Sequence, residues 1–233
     1  GRAEVDCIQV TDTSSCRTGL HYHQHYGELH QMNNSVPHIP IGRLLRSTTV
    51  GFTFGCSVPE PEVPLFGDFV KAPAQHGQSE VIGLISDILI EDDPFVRQLI
   101  AAPDLPEAYI QDQRKNRQVP IEVSVLTVGY RTDSAVFQAL PPQPPVTLDY
   151  IQRCEPEEIA TFTGSHDYFT LVLNTPDTSA DELLTAALQR AANARPTEER
   201  GFFMLQAGKE LARLLANDLP RLDTLLRRIQ VTP

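Results

Sequence analysis

The sequence has no tryptophan, only four cysteines and no long apolar run, and each shortage removes a class of protein. Cys7, Cys16, Cys56 and Cys154 show no CxxC spacing, which argues against a zinc site and against a disulfide framework. Reduced thiols in a cytoplasmic protein are the expectation, with a Cys7 to Cys16 bridge as the alternative. The best apolar stretch, Val81 to Ile90, is far too short to span a bilayer and is interrupted by Asp87. The N-terminal residues show no apolar signal-peptide core. A phosphate-cradling G-x-x-x-x-G-K-[ST] loop is also missing; Gly201 to Lys209 ends in Gly-Lys, but the spacing is wrong and Glu210 follows.

What is present is ordinary for a globular chain. At 41% hydrophobic and 21% charged residues, 233 residues can bury a core without help from metal or disulfide. The net charge of −11 is unevenly spread. From Asp177 onward eight acids balance eight bases, so the whole excess lies in the first 176 residues. An acidic half of this kind repels a phosphate backbone, which disfavours free-standing nucleic-acid binding.

The first 35 residues differ from the rest. His21, His23, His25 and His30 precede Met32 without strand patterning, and residues 1–31 read as a foreign or upstream extension, disordered and outside the fold. From Ile39 the pattern is β. Thr48 to Val58, Leu65 to Lys71, Val81 to Ile90 and Ile121 to Tyr130 are expected strands, rich in β-branched and aromatic residues. Glycines inside them, Gly51, Gly55 and Gly83, suit the bulges and bends of a small closed barrel. Residues 94–118 read as a helical insertion divided at Pro103 and Pro106. The cluster Pro141, Pro142, Pro144 and Pro145 is expected to end the barrel as a stiff connector.

Beyond it, Tyr168 to Leu173 reads as one more strand. Ser179 with Glu182 three residues on has capping-box spacing, and Leu183, Leu184, Ala187, Leu188 and Ala191 share a helical face. A second helix is expected from about Thr197 to Asn217, and a third from Pro220, with Leu222, Leu225, Leu226 and Ile229 as its stripe. The fold class is therefore mainly β plus α: a small closed β-barrel of about six strands, a helical insertion and a C-terminal helical region. The corresponding divisions are 1–35 for the extension, 36–145 for the barrel and 146–233 for the α(+β) region.

The run Ile41-Gly42-Arg43-Leu44-Leu45-Arg46-Ser47-Thr48, then Phe52-Thr53-Phe54, Phe66-Gly67-Asp68-Phe69-Val70 and Val81-Ile82-Gly83-Leu84-Ile85 resembles the HAS barrel, the domain shared by HerA-type DNA-translocating ATPases and the catalytic subunits of ATP synthases. Val119 to Val123 and the proline cluster resemble its closing half. The resemblance covers residues 39 to 150, rests on Gly42, Gly67, Asp68 and Gly83 as pattern residues, and includes no catalytic signature. It implies a barrel without its motor domain. Such a barrel would act through protein contacts, with itself or with a separate ATPase subunit, and would need no cofactor.

Other constellations are weighed against simpler roles. His21-x-His23-x-His25 has metal-like spacing, but in the segment read as foreign. Glu91-Asp92-Asp93 has the carboxylates of a magnesium-dependent nuclease or hydrolase, yet also suits a strand end before Pro94. Ser165-His166-Asp167 has triad residue types, but sequence neighbours rarely converge as a triad does. Arg114, Lys115 and Arg117 form the basic cluster of the acidic half, a possible nucleic-acid or partner contact and otherwise a solvated loop. Arg221, Arg227 and Arg228 read as an exposed face near the negative end of the last helix. The leading expectation is a non-catalytic interaction and assembly module, with no catalytic, cofactor or metal residues and no membrane. The alternatives are a carboxylate nuclease or hydrolase using Asp92 and Asp93, and a nucleic-acid-binding barrel.

Overall fold

The computed structural model describes residues 40–56, 64–90, 121–176 and 179–230, with Pro106 and Ala108, all within the compact unit Pro37–Pro233. Seven strands are present among them: β1 (Gly42–Ser47), β2 (Gly51–Cys56), β3 (Phe69–Ala74), β4 (Ser79–Ile90), β5 (Ile121–Thr132), β6 (Val136–Phe137) and β7 (Tyr150–Arg153). Five helices follow: α1 (Pro156–Phe162), α2 (Tyr168–Leu173), α3 (Ala180–Asn193), α4 (Thr197–Leu214) and α5 (Leu219–Gln230). The sheet order is β2-β1-β7-β3-β4-β5-β6, and β2 also pairs with β5 from Gly51 opposite Leu126 to Cys56 opposite Ile121. That second pairing closes six antiparallel strands into a barrel. β6 extends β5 as a short hairpin.

Two cores share the wall. Inside the barrel lie Leu44, Phe52, Phe54, Val70, Ala72, Val81, Ile85, Val123, Val125 and Ile151. Outside it, Phe69, Ile82, Leu84 and Val128 pack under Phe162, Tyr168, Phe169 and the helix residues Leu183, Leu184, Leu188, Phe203 and Leu211. Val81 and Ile85 therefore face one core while Ile82 and Leu84 face the other. This double burial is why the segment reads as a continuous apolar run instead of alternating. At the expected bend the register of β4 on β5 shifts between Ile82 and Gly83. A Cβ at Gly83 would collide with Val125, so the bend needs glycine for space.

Three expectations are corrected. Tyr168 to Leu173 is helix α2, not a strand: Tyr168, Phe169 and Val172 are the buried side chains, a helical spacing that seats them in the outer core. The proline cluster does not end the barrel, because β7 lies beyond it and bridges β1 and β3. Strand β3 begins at Phe69 and runs through Pro73 to Ala74, so residues 65–67 form the preceding turn and not strand. Ser179 does occupy the N-cap position of α3, but its hydroxyl makes no capping hydrogen bond. A reciprocal cap appears instead on α1, where the Glu158 carboxylate accepts the Glu155 backbone N–H at 2.9 Å. The remaining helices run as their apolar spacing predicts, and Gly201 to Lys209 lies within α4.

Apart from Pro106 and Ala108, the expected helical insertion at 94–118 and the N-terminal extension lie outside the described residues. Among the described residues no helix is long and apolar enough to cross a membrane.

Candidate functional site

Strand β1 has one inward residue, Leu44, fully buried opposite Phe54. Its pairing with β2 shifts between Leu44 and Arg46, so Leu45 is the extra residue of a bulge and its side chain is exposed. Arg43 pairs directly with Tyr150 of β7 and lays its guanidinium 3.9 Å from the Tyr150 ring centroid. The same guanidinium donates to the Tyr150 hydroxyl and, at 3.1 Å, to the Leu148 carbonyl. The chain before β7 is fastened along β1: Ser47 Oγ donates to the Pro145 carbonyl at 2.7 Å, Leu148 N–H to Leu44 at 2.9 Å and Leu44 N–H to Asp149 at 3.0 Å.

Within this fastened segment Leu148 adopts φ +72° and is 66% exposed, while Val146 and Tyr150 are also exposed. A leucine in the left-handed region is disfavoured by roughly 1–2 kcal/mol, and burial does nothing to offset that cost here. Such outliers concentrate where a surface is used. Leu45, Val146, Leu148 and Tyr150 are each exposed, and Arg43 links the Tyr150 ring to the Leu148 carbonyl, so apolar and aromatic groups accompany a cation along β1 and the segment leading into β7. That composition is typical of interface centres.

A second concentration of chemistry lies where α1 meets the barrel. Glu158 accepts from Lys71 at 2.6 Å and from Arg131 at 2.7 Å, and Arg131 also holds Glu80. Lys71 and Glu158 are both largely buried, with side chains 6% and 18% exposed. Burial acts to raise the Glu158 pKa, but the Lys71 and Glu155 hydrogen bonds and the Lys71 and Arg131 charges outweigh it and hold the carboxyl below its usual range. Cys154 borders the same cleft, and burial, with Glu158 beside it, pushes its thiol far up. A thiol held protonated in this way is a poor nucleophile. On the other side of α1, Asp68 is 4% exposed, accepts from Arg153 at 2.7 Å and forms an ion pair with Arg190 at 2.9 Å.

The sequence-derived residues fall as follows. Gly67 and Asp68 form the turn into β3, where Gly67 has φ +81°. Gly42 begins β1, and a Cβ there would lie 2.5 Å from the Gly55 carbonyl. Gly42, Gly67, Asp68 and Gly83 therefore act as fold-setting residues at separate places. Arg114, Lys115 and Arg117, the carboxylates Glu91, Asp92 and Asp93, the four early histidines, Cys7 and Cys16 all lie outside the described residues. Cys56 and Cys154 are free thiols. The arginines of the last helix are paired: Arg221, in its first turn and not near its negative end, with Asp181 at 2.6 Å, Arg228 with Glu182 at 2.5 Å, and Arg227 with Asp223.

Ser165, His166 and Asp167 sit in the turn joining α1 to α2. Gln138 organises this turn, donating to the carbonyls of Phe162 at 2.6 Å and Ser165 at 2.9 Å and accepting the Tyr168 N–H at 3.0 Å. His166 stacks on Phe203 with centroids 5.7 Å apart and meets Phe169 edge-on, and its Nε2 is buried without a partner. A triad histidine would aim that nitrogen at a nucleophile; this one packs as an aromatic ring. Burial lowers its pKa, against the raising influence of Glu210 and Asp167 and with the lowering influence of Arg195. Below about pH 6.5 the unfolded chain takes a proton that the folded imidazole resists, so stability falls as pH drops through that point. His166→Phe is expected to remove this part of the acid limb, read as the urea midpoint at pH 7 against pH 5.5.

No family model matches the chain, and no curated protein matches it.

Proposed function

We propose that this chain is a non-catalytic interaction and assembly module of the HAS-barrel kind, a barrel related to that of HerA-type ATPases and separate from any motor. It would act in the cytoplasm by contact with copies of itself, with a separate ATPase subunit, or with both. The observation that carries this reading is the β1–β7 surface, where a bulge exposes Leu45, a left-handed backbone exposes Leu148, and Arg43 stacks on Tyr150. A closed six-stranded barrel is compatible with the reading without selecting it among barrel functions.

In support, strain and exposed apolar area coincide on one stretch of wall, whereas a surface serving only to face water gains from neither. The buried Glu158 and Asp68 clusters hold helices onto the barrel and leave this wall uncovered by α1 and α3.

Sedimentation of the purified chain is expected to show an assembly larger than one chain, or a complex once the ATPase subunit is added. The double variant Leu148→Asp/Tyr150→Ala is expected to weaken that association by at least about 30-fold, the loss of one aromatic hot spot. Its circular dichroism should be unchanged. A single-chain mass, with no ATPase subunit retained on the immobilised protein, would remove the proposal.

A further inference from the structure

Between α1, β7 and α3 lies a cleft of about 380 Å³, lined by Asp68, Arg153, Glu155, Arg190 and Asn193 and by the apolar Phe69, Pro156, Ile159 and Ala194. Its size falls within the roughly 300–1,000 Å³ of small-molecule sites, and its few polar groups converge over an apolar floor as such sites do.

The two arginines are brought together by one buried carboxylate. Asp68 accepts a hydrogen bond from Arg153 Nη2 on Oδ2 and forms an ion pair with Arg190 Nε through Oδ1, so among the described residues each guanidinium meets this carboxylate through one nitrogen. A guanidinium carries five N–H donors in a fixed fork. Their side chains are 57% and 38% exposed, and both arginines line the open cleft. One negative charge beneath two positive ones leaves a unit of positive charge at the cleft. Glu155, which has a partner of its own, also lines it. Attraction there is therefore directional, resting on oriented donors and not on a broad positive field.

We propose that this cleft is a binding site for a small organic oxyanion, a carboxylate or phosphate head with a short apolar body. The head bridges Arg153 and Arg190. Asn193 supplies an additional polar contact, and the body rests on Phe69 and Ile159. Asp68 is the positioning residue: it is nine-tenths buried, draws the two guanidinium groups together, and does not itself meet the ligand. This site is separate from the β1–β7 surface, so it stands or falls independently of the assembly reading.

The full chain would be titrated at low ionic strength with inorganic phosphate and, in a parallel series, with succinate, each followed by calorimetry and by amide shifts. Saturable one-to-one binding is expected, and the tighter of the two names the head group. Arg153→Lys/Arg190→Lys keeps both charges and can still pair with Asp68, but loses the planar fork. It is expected to bind at least tenfold more weakly with an unchanged circular dichroism spectrum. Arg227→Lys, remote on α5, should bind as the native chain does. Failure of both anions to saturate, or equal affinity in the double lysine variant, would overturn the site.

Discussion

Glu158→Ala is expected to lower the unfolding free energy by about 3 kcal/mol, the low end of the roughly 3–5 kcal/mol lost when one partner of a buried ion pair is removed. The low end applies because the cleft beside α1 is open to water and Arg131 keeps Glu80. The cost falls on Lys71, whose ammonium sits at 2.6 Å from the carboxylate and is almost wholly enclosed. Without Glu158 that ammonium stays enclosed without its carboxylate partner, at the cost of an uncompensated buried charge. The backbone N–H of Glu155 also loses its acceptor at the start of α1. Lys71→Met/Glu158→Leu, which removes both charges and keeps the volume, should recover most of the loss, giving a large coupling term in a double-mutant cycle. Urea denaturation at pH 7 measures all three. A single-variant cost below about 1 kcal/mol would mean that the pair behaves as an exposed one. The pH dependence has a fixed sign. Because the folded-state pKa of Glu158 is depressed, its stabilisation is complete above its unfolded pKa of about 4.3 and is lost as pH falls through the lower folded value. The His166 contribution disappears earlier in an acid titration, so the two variants flatten different parts of the curve.

Gly67→Ala should cost about 2–5 kcal/mol from two separable sources. The backbone at Gly67 has φ +81°, which penalises any side chain by roughly 1–2 kcal/mol. The added methyl would also lie 2.5 Å from Ala186 Cβ and 3.1 Å from the Ala186 carbonyl carbon of α3, a clash of the kind that costs about 1–3 kcal/mol. The turn cannot slide away, because Gly67 N–H donates to Ile85 at 2.8 Å and Asp68 N–H to Leu65 at 3.1 Å. Ala186→Gly in the Gly67→Ala background should return part of the steric share and none of the dihedral share. Thermal and urea midpoints of the four proteins in the cycle test this. Strict additivity would show that α3 does not press on the turn.

How far the sequence revealed this depends on how many buried residues each element carries. Strands β2, β4 and β5 are dense in β-branched and aromatic side chains because one or both faces are covered, and they announce themselves. Strand β1 buries Leu44 and β7 buries Ile151, each the one fully buried residue of its strand. No periodicity can show through a single residue, and so β7 was hidden behind the prolines. Helix α2 was misread because YFTLVL has strand-forming residues; its environment, with Phe69 and Phe162 against Tyr168, decides for helix. The exposed surface of Leu45, Leu148 and Tyr150 was illegible for a different reason. Its signal is a bulge and a positive φ, neither of which leaves a compositional mark. Arg153 and Arg190 are 37 positions apart in the chain, and only the pairing of β7 with β3 brings the first of them over Asp68.

The pairing of β7 with both β1 and β3 carries one more consequence. Along the wall formed by β1 and β7 each strand has a hydrogen-bonded neighbour on both flanks, so among the described residues that wall offers an incoming extended peptide no open strand edge. Whatever docks on this wall must read knobs and charges, and its own backbone conformation is left unconstrained.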